Sequence, residues 1–385
     1  MTAATTAAVT GTGHALPAPM DQQALWDGFF RDHYADARIA RRVWQSAAIR
    51  TRRGVVDPTQ EDVSGLGTAA RMQRFLAEAM PLGKEAVTGA LADAGLDPAD
   101  VGLLTVVSCT GYVTPGLDIL LARDLGMRAD VQRLHVGHMG CYAALPGLGA
   151  TADFVVARSR PAVMLCLELT SLHVQPATET ARSGRPTPED LQQMVSHALF
   201  SDAAAAVVLE PSSRGGADDG PAGLEVVDVV ARTDVSTADH MTWDVTDLGF
   251  KMGLSPAVPS VLARHARPVV EELLGAHGIR VDEVSGWAVH PGGRRIVEVV
   301  GEVLDLSADA LAPSYDVLRD VGNCSSATVL LVLERLLETV DVPPGGHVVA
   351  MAFGPGLTLY AVLLRRRGST PEALPSSPGS PPHRP

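Results

Sequence analysis

Short, wholly apolar runs alternate with segments of helical period along this chain, and they do so twice in a similar order. That alternation restricts the fold more than any other feature of the sequence. Met72, Phe75, Leu76 and Ala79 share one helical face, and Val87, Ala90, Leu91 and Ala94 share another. Leu103 to Val107 then reads as a continuously apolar strand. Ala143 to Val156 has helical spacing, and Ala162 to Leu169 and Ala203 to Leu209 are again uninterrupted apolar runs. Beyond a polar stretch from Pro211 to Gly223 the order recurs: strand Leu224 to Val230, helix Val258 to Leu274, strand Gly286 to His290, helix Ile296 to Leu304. A helix from Thr328 to Leu336 follows, then two strands, His347 to Phe353 and Thr358 to Leu364, joined at Gly354-Pro355-Gly356. Strands apolar on both faces need cover on both faces, which predicts an α/β fold of mostly parallel, buried strands. The recurrence points to two similar halves.

Composition supports such a core. The chain has 385 residues, 46% hydrophobic and 19% charged, enough apolar material for extensive burial. Aromatic residues make up only 4%, so Ala, Val and Leu must fill the interior. With 44 acidic against 31 basic residues the net charge is -13, which argues against nucleic acid as a partner but allows a local basic entrance. The four cysteines, Cys109, Cys141, Cys166 and Cys324, form no C-x-x-C pair. Neither a disulfide framework nor a structural zinc site is expected, and a reducing, cytoplasmic setting is. No signal peptide and no membrane span are expected, since no apolar stretch approaches about 20 residues. The predicted organisation is a flexible arm over residues 1–18, an N-terminal half over 19–222, a C-terminal half over 223–367 and a disordered Ser/Pro-rich tail over 368–385. Residues 175–190 read as a further loop.

Three residues stand where chemistry can happen. Cys141, in Gly137-His-Met-Gly-Cys-Tyr-Ala-Ala144, follows a strand-like run (Arg133 to Val136) and opens an Ala-rich helix. Backbone N–H groups and the helix dipole favour a thiolate there; taken alone, a buried structural cysteine is the commoner reading. His290, in Trp287-Ala-Val-His-Pro-Gly-Gly293, ends a buried strand, where open α/β sheets place ligands; a hydrogen-bonded core histidine is the plainer reading. Asn323, in Gly322-Asn-Cys-Ser-Ser326, precedes a helix and could be a simple cap. Together, a Cys, a His and an Asn on turns beside buried elements form a nucleophilic constellation.

The ordered series Ser108-Cys-Thr-Gly111 with Pro115-Gly116, Gly140-Cys141, Leu167-Glu-Leu-Thr170, Ala198-Leu-Phe-Ser-Asp202, His290-Pro-Gly-Gly293, Gly322-Asn-Cys-Ser-Ser326 and Phe353-Gly-Pro-Gly-Leu-Thr358 resembles the chalcone synthase superfamily, the type III polyketide synthases of the thiolase fold. The resemblance implies a layered αβαβα arrangement of two similar halves and a homodimer. It implies that Cys141 takes an acyl group from CoA while His290 and Asn323 hold the malonyl-CoA thioester as it decarboxylates. Iterative extension and ring closure to a pyrone or phenolic product would follow, with no metal or cofactor beyond the CoA thioester substrates.

The same resemblance places Phe250 and Leu224 at gating positions, Cys109, Thr170, His173 and Ser325 in the cavity, and Arg42 and Arg295 at the CoA entrance, with Arg50, Arg52 and Arg53 nearby. Thr114 stands where the family often sends a Met into the partner's cavity. Small cavity neighbours favour an aliphatic starter. Other Lys positions of the plant pattern are absent, so an acyl carrier protein is an alternative donor. Two rival readings use the same residue types: a single-condensation 3-ketoacyl carrier-protein synthase and a papain-type hydrolase.

Overall fold

The computed structural model describes residues 5–213 and 223–368. They contain a nine-stranded sheet, in spatial order Val284–Val289, His347–Gly354, Thr358–Arg366, Leu224–Thr233, Thr5–Ala15, Asp202–Ser213, Ala162–Leu169, Leu103–Val107 and Gln132–Val136. Counted outward from the centre, each half repeats one pattern: two antiparallel pairings and then parallel ones. Within the sheet the halves join, among the described residues, through two residue pairs, Ala8 with Glu225 and Val9 with Leu224.

Side-chain alternation builds the predicted five layers. Ala162, Met164 and Cys166 face a middle layer, whereas Val163, Leu165 and Leu167 face the outer helix Thr68–Ala94. In the other half Val348, Ala350 and Ala352 face the same middle layer, and Val349, Met351 and Phe353 face the helices Val258–Gly275 and Arg294–Leu304. The middle layer is the helix pair Ala144–Arg158 and Ala327–Thr339. Each strand thus serves two cores, which is why the runs lack polar positions. The one segment long and apolar enough to cross a membrane among the described residues, Gly140–Arg158, is part of this middle layer.

The expected N-terminal arm is corrected. Thr5–Ala15 is the central strand, paired along its length with Asp202–Ser213 from Thr5 opposite Ser213 to Ala15 opposite Ala204. Its Thr, Ala and Gly residues carry little hydrophobic signal because the outer helix crosses very close. A Cβ on Gly13 would lie 2.3 Å from Ala90 N and 2.5 Å from Ala86 O, and one on Gly11 would lie 2.3 Å from Ala90 O. That helix is a single unit of 27 residues running through Pro81, not the two separate helical faces the spacing indicated.

The expected loop at 175–190 contains a short helix, Glu179–Arg182, and the start of Pro188–Leu199. The longer helix begins with a Thr187–Asp190 capping box and Pro188 in its first turn. Asp202–Ser213 runs further into the predicted boundary than expected; the rest of that boundary, 214–222, and the predicted tail from 369 onward lie outside the described residues.

The close crossing gives a paired expectation. Gly13→Ala should lower stability by about 2 kcal/mol or more, since backbone on both sides must move. Gly89→Ala, on the helix side of the same crossing, places its Cβ 3.6 Å from Gly13 Cα, an ordinary contact. It should be neutral or stabilising by up to about 1 kcal/mol through helix propensity. Urea midpoints of the two variants decide the matter; equal effects would mean that the crossing is looser than the structure has it.

Candidate active site

After the strand Gln132–Val136 the chain turns through His138 and Gly140, both at positive φ (50° and 71°), into the single turn Gly140–Tyr142 and then the helix Ala144–Arg158. Cys141 sits at this helix entrance and is buried. A Cβ on Gly140 would lie 2.8 Å from Pro355 Cδ, and one on Gly354 would lie 3.3 Å from Cys141 N. Two motifs far apart in sequence, Gly140-Cys141 and Gly354-Pro355-Gly356, are therefore one contact in space.

His290 follows the strand Val284–Val289, its N–H bonded to the carbonyl of Met351 at 2.8 Å. Its ring meets Phe353 edge-to-face with centroids 5.8 Å apart, and Phe353 leads directly into the Gly354-Pro355 contact with the cysteine turn. Both ring nitrogens lack a hydrogen-bond partner among the described residues, so the imidazole is not spent on holding the core together. Burial pushes it down to about 3, and hence to the neutral form.

Asn323 is held by backbone pairing with the other half of the molecule. Its N–H donates to Leu199 O (3.1 Å), and Ser201 N–H donates to its carbonyl (2.9 Å). Its Oδ1 accepts the N–H of Ser325 at 2.9 Å, leaving the amide nitrogen as the free end. Burial pushes the Cys141 thiol up to about 12, and the nearby Ser325 and Asn323 side chains act in the opposite direction. Cysteine, asparagine and serine are thus brought together. His290 joins them through Phe353, and no hydrogen bond ties it to Cys141.

Around the sulfur lies a chamber of about 20 Å³. Cys109, Thr170 and Ser325 line it, as predicted, with Cys109 Sγ 3.8 Å from Ser325 Oγ. The fully buried Glu168 fixes this wall, accepting from Cys109 N–H (3.0 Å), Thr110 Oγ1 (2.8 Å) and Ser326 Oγ (2.6 Å). Burial raises both the Glu168 carboxyl and the Cys109 thiol.

Other assignments shift. Leu224 is not a gate: it starts the strand Leu224–Thr233, pairs with Val9 and is buried in the middle core. Phe200 faces the chamber instead, beside Met241, Trp243 and Met252 of the hairpin Met241–Thr246/Gly249–Leu254. His173 and Phe250 stand behind that wall and do not line it. Their rings stack at 4.6 Å and meet Trp243 edge-on at 5.6 and 6.0 Å. His173 Nδ1 accepts the Phe250 N–H (3.0 Å), so Nε2 carries the proton and donates to Thr110 O (2.7 Å). Burial keeps this ring neutral, with a pKa of about 4. A period-2 reading of Met241, Trp243 and Met252 could have found the hairpin, and the lone aromatic between Leu199 and Ser201 could have found Phe200.

Of the entrance arginines, Arg42 is exposed on the helix Arg38–Ser46, away from the chamber walls. Arg295 is exposed on the first turn of Arg294–Leu304 and already paired with Glu302 at 2.6 Å.

A buried thiol and amide at the starts of two central helices, with an unpartnered imidazole at a strand end beside them, define a condensing enzyme of the thiolase fold. The chain belongs to the chalcone and stilbene synthase family, the type III polyketide synthases: residues 1–212 match the family's N-terminal domain and residues 228–367 its C-terminal domain. It is 37% identical over 335 residues to a 1,3,6,8-tetrahydroxynaphthalene synthase of Streptomyces peucetius subsp. caesius, covering 86% of this chain and 84% of that one. It is 33% identical to the alpha-pyrone synthesis polyketide synthase-like Pks18 of Mycobacterium tuberculosis, covering 84% and 81%. The crystal structure of the tetrahydroxynaphthalene synthase of Streptomyces coelicolor A3(2) superposes with a TM-score of 0.84 at 26% identity, covering 94% of this chain and all of that one. Membership in this family leaves the papain-type hydrolase and the single-condensation synthase behind.

The exchange of Leu224 for Phe200 can be measured. Leu224→Ala should lower stability by about 2–4 kcal/mol, as core truncations do, and leave the set of products unchanged. Phe200→Ala should change the products. A new product pattern from Leu224→Ala would return that residue to the cavity.

Proposed function

We propose that Cys141 attacks an acyl-CoA thioester, giving acyl-Cys141 and free CoA, and that His290 takes the thiol proton. His290 and Asn323 then donate to the thioester carbonyl of malonyl-CoA. Loss of CO₂ turns that oxygen into an enolate, whose charge two aimed donors stabilise. The enolate carbon attacks the acyl-Cys141 carbonyl, the thiolate leaves, and the chain is two carbons longer. Repetition and ring closure give a pyrone or phenolic product, in line with relatives named for tetrahydroxynaphthalene and for alpha-pyrone synthesis. The observation that carries this reading is a buried Cys141 sharing one chamber with Ser325, two residues from Asn323, with both nitrogens of the buried His290 free.

The chemistry needs neither metal nor nucleotide, since decarboxylation drives each step. Free CoA thioesters are the substrates in this reading, with Arg42 and Arg295 meeting the CoA phosphates, and a carrier-protein thioester is the alternative donor. The enzyme acts in the cytoplasm as a homodimer, its edge strand Gln132–Val136 and the exposed Leu134 covered by a second copy. Thr114 does not reproduce the family's cross-subunit Met.

The pKa directions give a test with a definite sign. A raised thiol is uncharged below about 12 and a lowered imidazole is uncharged above about 3. Between those limits the neutral pair and its ion-pair isomer carry the same number of protons, so their ratio does not change with pH. Alkylation of Cys141 by iodoacetamide should therefore be nearly flat from pH 6 to 9. In His290→Gln the thiol has lost its base, and the rate should rise about tenfold per pH unit. A wild-type rate that climbs like the variant's would remove His290 as the proton acceptor. Cys141→Ala should abolish acyl loading and product together.

A further inference from the structure

The Cys141 chamber and a second cavity share a wall. The chamber holds about 20 Å³ and its neighbour about 30 Å³, and Thr170, Phe200 and Trp243 face both. Voids of this size hold a water molecule or two. Neither accommodates a chain that gains two carbons in every cycle, so growth requires a wall to give way.

The three shared residues are not equally fixed. Thr170 is buried, its hydroxyl bonded to Ser201 O at 2.9 Å and to Asp202 Oδ1 at 3.1 Å. The backbone of Phe200 is paired with Asn323 across the halves. Trp243 stands on a hairpin that forms its own two-stranded sheet, apart from the main one. Its indole is half-buried, and its one side-chain hydrogen bond runs from Nε1 to Cys109 O, at 2.9 Å. Its aromatic neighbours are His173 and Phe250, met edge-on, and Phe200, met at a tilt, at 5.6 to 6.3 Å between centroids. The second cavity is mixed: Met20, Phe30 and Val56 line it together with Arg52, Arg53 and Ser196, and the Nε atoms of Arg52 and Arg53 are buried without a hydrogen-bond partner among the described residues.

We infer that Trp243 is a movable partition that sets how far the polyketide grows: when its indole leaves the Cys109 carbonyl, the chamber opens into an annex carrying two unpartnered guanidinium N–H groups, which receives the distal end of the chain. This rests on the function proposed above. Each condensation occurs at the thioester, so the starter end is pushed furthest from Cys141 and enters the annex first. The unpartnered Nε–H groups of Arg52 and Arg53 suit carbonyl oxygens and, left unsatisfied, poorly suit a long alkyl group. The favoured occupant is therefore a chain begun from a small, oxygen-bearing acyl unit, against the aliphatic starter that the sequence favoured.

The test uses the full-length enzyme with malonyl-CoA, alone or with acetyl-CoA or a long-chain acyl-CoA, and mass spectrometry of the products. The readout is the ratio of longer to shorter chains, which a loss of total activity does not move. Trp243→Ala should shift that ratio about fivefold or more toward products longer by one or more two-carbon units, the scale of one lost hydrogen bond. Trp243→Phe should give a smaller shift in the same direction. Ser196→Leu, which fills the annex and leaves the indole in place, should shift the ratio the other way, and it decides the matter should Trp243→Ala form no product. An unchanged ratio in Trp243→Ala, or longer chains from Ser196→Leu, overturns the partition. Preferential use of the long-chain acyl-CoA by the native enzyme overturns the polar occupant. A native enzyme that loads Cys141 yet forms no carbon–carbon bond overturns the function reading, and with it this one.

Discussion

The helices Ala144–Arg158 and Ala327–Thr339 lie between the inner faces of both sheet halves, so neither can slide without opening a core on either side. Cys141 precedes the first by three residues and Asn323 precedes the second by four. Burial of the middle layer therefore sets the spacing of nucleophile and amide. Interiors packed like organic crystals resist displacements of even a methylene, and that stiffness is what a preorganised site requires. His290 is placed by the outer face of the same architecture, at the end of a strand whose neighbour carries Phe353. The three residues come from separate elements, yet one set of packing interfaces holds them.

Legibility in the sequence followed the strength of the hydrophobic signal. Ala162–Leu169 and Leu103–Val107 are buried on both faces, and an uninterrupted apolar run can do little else. Thr5–Ala15 is equally central but was illegible, because the helix crossing at Gly11 and Gly13 excludes the bulky residues by which strands are usually known. Cys141, His290 and Asn323 could be found since each stands at a turn that only small residues permit, and such turns leave a mark in the chain. Leu224 and Phe200 show the limit. Which apolar residue faces a cavity depends on the direction of one side chain at one register position, and a shift of one residue reverses the face. The same holds for His173, which the family resemblance placed in the cavity and whose two nitrogens are instead consumed by Thr110 and Phe250.

Burial also determines the electrical character of the site. A lone buried thiolate or imidazolium is costly, so the resting groups are neutral. Charge is then created only by moving a proton between them, which leaves the total charge of the chamber unchanged. The carboxyl of Glu168, pushed up by the same burial, sits behind Cys109 with six hydrogen-bond contacts from Ser108, Cys109, Thr110 and Ser326. It stiffens the wall opposite the nucleophile and ties Ser326, next to Ser325, to the first half. Electrostatics and packing therefore constrain the same few residues.

Scarcity of aromatic side chains sharpens the contrast between frame and gate. Only 4% of the chain is aromatic, and the sheets and middle helices are filled almost entirely by Ala, Val and Leu. Yet Phe200, Trp243, Phe250 and Phe353 all gather about the chamber. Small aliphatic residues interlock and hold position. The wall at Trp243 is built otherwise, from separate ring contacts and one hydrogen bond on a hairpin outside the main sheet. A frame of the first kind holds Cys141 and Asn323 still, while a wall of the second kind yields to a growing product. Rigidity at the sulfur and compliance in the facing chamber wall are thus two consequences of one uneven distribution of side chains.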